Sequence, residues 1–530
     1  MSTSSATAPL DRKPKNAGLV LAALILAAGV ANMNLSIANV ALPEIAIKLH
    51  ASQTGLNLVS VGFELGLAIS VLYLGALGDH HGRKGMLILG LSLGIPTAIL
   101  AALSGSIEML MVARLTGGIS AGMAYPTTLA LITALWSGPS RTRAIALWSA
   151  LGAGLSALSP MLAGATLMVA PWGWAFLIPI PFGIAALLLV IWNVPAHVNE
   201  GDEPVDHAGG ILSAIFIGAL VIAINFAELD TAGPVLQVAI ALTLLGGVAF
   251  FWRQAKAKYP LFDLRFARRP TFWVATASGL IVFGSLMGAM YVGMQYLQNV
   301  LGYSTFLAGL AILPCPIFMV LVAPYSSRMV IRWGSRITLL VGFAFCIAGF
   351  VIMLTVWAID STYTSIGIAY ALVGTGVAIA GTPSSHALTD SVPVEKVGMA
   401  SGTGDLQRDL GGAVMQSIMG AILGAGYAAA VATKIADAPA DVQSQITSSI
   451  RSALTKSYGS AVDLASQYPE YKAAVVQAVK ESFLAGANWA YFAGVLASIV
   501  GAAIVWFFFP RHDREKALYR EWGSEEPAQK

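Results

Sequence analysis

Glu64 and Arg114 are opposite charges set deep inside long apolar runs of a 530-residue chain. An ionised group at that depth in hydrocarbon costs at least about 2.5–3.5 kcal/mol, so each needs a reason to be there. Glu64 shares a polar helical face with Asn57 and Ser60, seven and four residues earlier, which turns that face toward water or protein. Each lies about seven residues, or roughly 10 Å at 1.5 Å per residue, from the same end of its helix. The chemistry such a pair offers is reversible proton binding. A carboxylate held between burial and a nearby cation can release its proton when a cationic substrate arrives. Two readings stand at this stage: a titrating proton-coupling pair, or a structural Glu64–Arg114 pair with the glutamate reaching toward the outer interface.

Other polar residues inside apolar runs are few. Asp405 lies three residues before Arg408, within side-chain reach on one helix, and Asp409 follows. A local ion pair is expected there, with gating as the second reading. Asn32, Asn34, Ser36 and Asn39 place amides and hydroxyls on the first apolar run, as candidate cavity lining or interhelical hydrogen bonds. Met290, Tyr291, Met294 and Gln298, with Met287, recur at three- and four-residue spacing. That soft stripe suits an adaptable cavity wall, and equally a packed face. The seven histidines (His50, His80, His81, His197, His207, His386 and His512) form no cluster in the apolar runs, and no phosphate-cradling GxxxxGK[ST] occurs. Cys315 and Cys346 both sit in apolar sequence and read as packing residues. No catalytic residue, metal ligand or cofactor is therefore expected.

The elements that must position these groups follow from composition. Hydrophobic residues make up 57% of the chain and charged residues 11%, against roughly 25% charged in a soluble domain. This excludes a water-soluble enzyme, a disordered scaffold and a disulfide-knit module. A net charge of +3 offers no basic field for nucleic acid. Apolar runs of about 20 residues or more, the length that spans a bilayer, begin at about Ala17. Fourteen are expected, including 304–324, 337–357, 399–426 and 482–509. Lys and Arg concentrate on one side of these spans, which puts both termini in the cytoplasm. The acidic segment 193–207 departs from that rule. The segment 427–481 repeats Ile446, Ile450, Leu454 and then Tyr471, Val475, Val479 every four residues, predicting a small helical cap on the outer face.

Between the second and third runs stands Gly75-Ala-Leu-Gly-Asp79-His-His-Gly82-Arg83-Lys84. Glycine permits the turn and close helix approach, while one carboxylate and two cations can bridge helix ends. A weaker copy follows in the second half, Ser327-Arg328-Met-Val-Ile331-Arg332-Trp-Gly334-Ser-Arg336, with Ile331 where the acid would be. This pair resembles the latch loops of the major facilitator superfamily. Asn34-Leu-Ser36-Ile-Ala-Asn39-Val-Ala-Leu-Pro43, Arg114 with Gly118 and Gly122, Trp172-Gly-Trp174-Ala-Phe176 and Tyr296-Leu-Gln298-Asn299-Val-Leu-Gly302 are similar to its fourteen-helix drug:proton antiporter branch (QacA/EmrB type). So are Gly402, Arg408, Gly411 and Gly412 on the thirteenth run. Two positions depart from the branch. Asn34 stands where an aspartate is usual, and the fifth-helix antiporter motif keeps Gly154, Pro160 and Gly164 but has Ser159 for a glycine.

The resemblance implies an all-α polytopic membrane protein of the major facilitator fold, with two six-helix bundles and two extra helices. Expected boundaries are a cytoplasmic tail 1–16, a first bundle 17–192, linker helices and a basic loop 193–270, a second bundle 271–509 carrying the cap 427–481, and a tail 510–530. It implies an inner-membrane secondary transporter, not an enzyme, exporting amphiphilic or cationic small molecules against proton entry by alternating access; the oligomeric state is not set by the sequence, and a monomer is expected. Export of a lipid or natural product, or proton symport, is the alternative within transport.

Overall fold

A computed structural model describes residues 13–49, 53–196, 204–226, 233–393, 396–439, 443, 446–456 and 458–524. Among the described residues every regular element is helical, the solution hydrocarbon imposes because a helix satisfies its own backbone. The first group comprises α1 (Ala17–Lys48), α2 (Gln53–His81), α3 (Arg83–Ala102), α4 (Ile107–Leu135), α5 (Gly138–Leu167) and α6 (Pro179–Asn193), the last preceded by a 3₁₀ turn at Trp172–Leu177. Next come α7 (His207–Phe226), α8 (Gly233–Lys256) and the short α9 (Leu264–Ala267). The second group comprises α10 (Pro270–Gln295), α11 (Thr305–Ile312), α12 (Pro314–Thr355), α13 (Tyr363–Asp390), α14 (Val397–Ala436) and α17 (Lys472–Phe508). Two small helices, α15 (Ser448–Lys456) and α16 (Tyr458–Ser466), precede α17, and α18 (His512–Ser524) follows it.

Thirteen helical segments of the described residues are long and apolar enough to cross a membrane, which makes this a multi-pass membrane protein. The expected count of fourteen differs by one because the runs 304–324 and 337–357 merge into a segment spanning Phe306–Thr355. At about 1.5 Å per residue, the 42 residues of α12 alone would extend about 63 Å, twice the roughly 30 Å of hydrocarbon. The backbone breaks inside it at Gly334, where φ is +83° and ψ 170°, a left-handed region that glycine enters without a Cβ penalty. The other boundary difference lies at the cap. Helices α14 and α17 run on to Ala436 and back from Lys472, beyond the expected limits 426 and 482.

Two apolar cores organise the packing. One gathers Leu24, Phe63, Leu67 and Trp148 from the first group, the other Phe272, Phe343, Phe350, Tyr370 and Tyr491 from the second. Helices α2 with α4 and α1 with α5 pack within the first group; α12 with α13 and α10 with α14 pack within the second. Across the groups, α5 meets α12 and α13, while α2 and α4 meet α14. Helices α7 and α8 pair, and α7 rests on α2 and α14, tied to α2 by Tyr73 Oη to His207 Nδ1 at 2.6 Å.

Small residues decide how closely these helices approach. Gly62 and Gly66 form a Gly-x-x-x-Gly pair on either side of Glu64, the spacing that brings membrane helices into backbone contact. A Cβ on Gly66 would stand 2.1 Å from the Leu115 carbonyl oxygen, and one on Gly118 would stand 2.1 Å from that of Phe63. Gly118→Val therefore has to force α2 and α4 apart. Thermal unfolding of the purified protein in detergent is expected to show a midpoint at least roughly 5 °C below the parent; an unchanged midpoint would contradict this packing.

Candidate functional site at the junction of the two bundles

The Gly75–Lys84 loop closes one end of the molecule. Gly82, with φ +112°, breaks the chain between α2 and α3. Asp79, in the last turn of α2, receives Arg83 Nε at 2.8 Å on Oδ1 and the Gly398 main-chain N–H at 2.7 Å on Oδ2. One carboxylate thus neutralises a buried guanidinium in its own bundle and holds the first turn of α14 in the other. Gly398 must lack a Cβ, which would meet Asp79 Oδ2 at 2.1 Å. A Cβ on Gly75 would lie 3.4 Å from the Gly398 carbonyl oxygen. Lys84 Nζ donates to the Ile191 carbonyl at 2.9 Å, tying α3 to α6. A second bridge between the bundles joins Arg141 on α5 to Asp390 on α13 at 2.5 Å; both residues are at helix ends, where sequence spacing alone does not pair them.

The second-half copy behaves differently. Arg336 donates to the Trp506 carbonyl and lies over the Trp506 ring, Arg328 lies over Tyr325 and Arg332 over Trp333. These partners belong to the same bundle, as follows from the loss of the acid at Ile331. Gly334 instead receives the C-terminal helix. A Cβ there would meet His512 Nδ1 at 2.4 Å and Glu515 Oε2 at 2.9 Å, and Glu515 accepts the Ser335 N–H at 3.1 Å. Trp522 stacks under Arg269 at 4.3 Å, and Tyr519 meets His386, which lies 3.3 Å from Asp390. The expected plain tail 510–530 is therefore, over its described part, a docked helix adjoining the Arg141–Asp390 bridge.

Further along the interface lies a column of buried charge. Arg114, 2% exposed, donates through Nη1 to the Asn34 carbonyl at 2.7 Å and through Nε to the Val59 carbonyl at 3.3 Å. Its guanidinium lies over Phe63 at 4.9 Å and Phe176 at 5.8 Å. Glu64, half-buried on α2, feels the Arg114 charge, but the guanidinium hydrogen bonds go to main-chain oxygens. The charge of Glu64 also reaches the other bundle, acting on Asp409 of α14. Asp405 and Arg408 approach to 3.5 Å. Arg408 reaches back across the junction to donate to Tyr125 Oη at 2.7 Å, with Ser385 Oγ 3.3 Å away. Asp409 lies about 16 Å along α14 from Gly398, and Glu64 about 22 Å along α2 from Asp79, at 1.5 Å per residue. This places Asp409 well inside the membrane rather than near the end of its helix.

The remaining expected residues are distributed as follows. Asn34 turns its amide to the Val30 carbonyl at 2.9 Å, and Asn32 donates to Tyr125 Oη at 3.4 Å. The side chains of Ser36, Asn39 and Asn57 lie outside the described residues. Arg114 and Asn34 line a cavity of about 40 Å³ within the first bundle, between α1, α3, α4 and α6. Met287, Met290 and Met294 pack against the second core, half-buried, with Gln298 half-buried beyond them in a π turn at Tyr296–Val300 and Tyr291 exposed. A packed face accounts for the methionines. Gly154 brings α5 against α12, its Cβ position 3.5 Å from Val320, while that of Gly164 is open; Pro160 lies inside α5. Tyr125 and Trp148 carried no signal, since an aromatic in an apolar run looks like core until a charge is brought to it.

Paired bundles, an inter-bundle latch and charge at the junction define a secondary transporter. The sequence matches the Major Facilitator Superfamily over residues 24–416. The chain belongs to that family. It is 29% identical to multidrug resistance protein Stp of Mycobacterium tuberculosis, over 71% of this chain and 70% of that one. It is 31% identical to the methylenomycin A resistance protein of Bacillus subtilis, over 61% and 70%, and 28% identical to drug efflux pump JefA of M. tuberculosis, over 72% and 75%. The fold matches the human organic anion transporter MFSD10 (TETRAN) with a TM-score of 0.56 at 13% identity, covering 92% of this chain and 98% of that one.

Burial pushes the Glu515 carboxyl up to about 7 from an ordinary 4.5, with the Ser335 N–H opposing and Asp390 adding to the rise. The docked helix therefore binds this proton more tightly than an undocked one. Docking is expected to be firmest below about pH 4.5 and to weaken as pH rises toward 7. Protection of the amides of residues 511–522 against hydrogen exchange, taken relative to the intrinsic rate at each pH, should fall across that window in the parent and stay flat in Glu515→Gln; equal falls would refute it.

Proposed function

We propose that this transporter exports amphiphilic or cationic drugs in exchange for protons entering the cell. The latch end faces the cytoplasm and the cap faces outward, an orientation supported by the Lys and Arg at the latch end. The relatives named for multidrug resistance and drug efflux support the substrate class and direction. The observation that carries the coupling scheme is Glu64, a carboxylate that feels Arg114 in its own bundle and whose charge reaches Asp409 in the other. Protonation there removes a negative charge from the junction; a cationic substrate answers the same charge. The two therefore compete, which is the requirement for antiport. Asn34 cannot substitute, because an amide does not titrate and its side chain is engaged by its own helix. The bundles then rock about the junction, each opening breaking one end's contacts.

Flux of a fluorescent organic cation into proteoliposomes under an imposed pH gradient tests this. Glu64→Gln is expected to lose at least roughly tenfold of the gradient-driven component, about 1.4 kcal/mol of coupling, while Asn34→Asp retains proton dependence. Unchanged proton dependence in Glu64→Gln overturns the scheme.

A further inference from the structure

Three aromatic rings close around a cation at the junction, and that cation belongs to the protein. The Arg408 guanidinium carbon lies 4.6 Å from the Trp148 ring centre, 5.0 Å from Phe283 and 5.7 Å from Tyr125. Trp148 and Tyr125 come from the first bundle, Phe283 and Arg408 from the second, so the box is whole only while the bundles are apposed. Its walls are fixed. Trp148 Nε1 donates to Thr128 Oγ1 at 2.9 Å, and the three rings are at most 6% exposed. The floor is acidic. Asp405, fully buried, spends one oxygen on Arg408, while its Oδ2 and the Oδ2 of Asp409 are buried with no hydrogen-bond partner among the described residues. Asp409 also feels the charge of Glu64 across the junction.

Counted together among the described residues, Glu64, Asp405 and Asp409 are set against two cations, Arg114 and Arg408. Fully ionised, the column is one positive charge short. An aromatic box lined by unpaired carboxylate oxygens is the arrangement that binds a desolvated organic cation, such as a quaternary ammonium or a planar aminium. We propose that Tyr125, Trp148 and Phe283, with Asp405 and Asp409, form the site for the cationic head of the substrate, and that Arg408 occupies it as a tethered surrogate. Substrate displaces the guanidinium from the rings while the bundles are apposed there, and the guanidinium takes the rings back as substrate leaves. This rests on the exporter reading and adds to it the recognition site and the positive charge of the cargo.

The test is equilibrium binding of ethidium to the full-length protein in detergent, followed by fluorescence polarisation. Arg408→Gln empties the box of its own cation while leaving both carboxylates, and is expected to bind at least roughly tenfold more tightly than the parent. Trp148→Phe and Asp409→Asn, each introduced into Arg408→Gln, are expected to reverse that gain; Trp148→Phe keeps an aromatic core should larger truncations fail to fold. Weaker or equal binding by Arg408→Gln, or a gain indifferent to Trp148 and Asp409, overturns the site. Failure here with Glu64-dependent, proton-driven flux intact would refute the site and leave the exporter; loss of proton dependence in the parent with the binding pattern intact would do the reverse.

Discussion

Charge held in hydrocarbon has to be answered where it stands, because neither water nor salt is at hand to screen it. In this protein the answers cross the boundary between the two bundles. Asp79 meets Arg83 in its own bundle and the Gly398 amide in the other. Arg141 meets Asp390, and Arg408 leaves the second bundle to reach Tyr125 in the first. Each contact is satisfied only while the bundles are apposed at that end. Separation leaves buried groups unpaired unless protons, water or substrate replace the lost partner. In the proposed exchange, rocking and charge compensation are one event rather than two.

The bundles themselves are held by cheaper means. Without a hydrophobic drive between helices in lipid, closeness depends on small residues and shape. Gly62, Gly66 and Gly118 let α2 and α4 touch backbone to backbone, and the same close approach presents Glu64 and Arg114 at one depth. Arg114 donates from Nη1 and Nε to main-chain oxygens of Asn34 and Val59, its Nη2 is buried without a hydrogen-bond partner among the described residues, and Glu64 is coupled to it through space rather than locked in a bond. A carboxylate in a rigid two-point ion pair would be a poor proton carrier; one that only senses its neighbour is free to change state.

At the latch end the C-terminal helix adds a further constraint. Its Glu515 seats on the Gly334–Ser335 break, and its Tyr519 and Trp522 spread over His386 and Arg269. The degraded second copy of the latch thus retains its glycine for a different purpose, as the socket for this helix.

The sequence by itself determined the membrane class, the helical spans, the latch loop with its weaker echo, and the family. All of these are written in runs of neighbouring residues, so hydropathy and spacing reveal them. Spacing also put Asp405 within reach of Arg408, since three residues on a helix is a local relation. It separated the spans 304–324 and 337–357, and the helix does break between them at Gly334; what fills that break, the C-terminal helix, was not legible because it comes from 180 residues away. Only the tertiary structure decided which charges face each other across the junction. Asp79 with Gly398 and Arg408 with Tyr125 are 319 and 283 residues apart, and no periodicity links residues on different bundles. Likewise the methionine stripe of α10 could have lined a cavity or packed inward; which face a helix buries is settled by its neighbours, not by its own pattern.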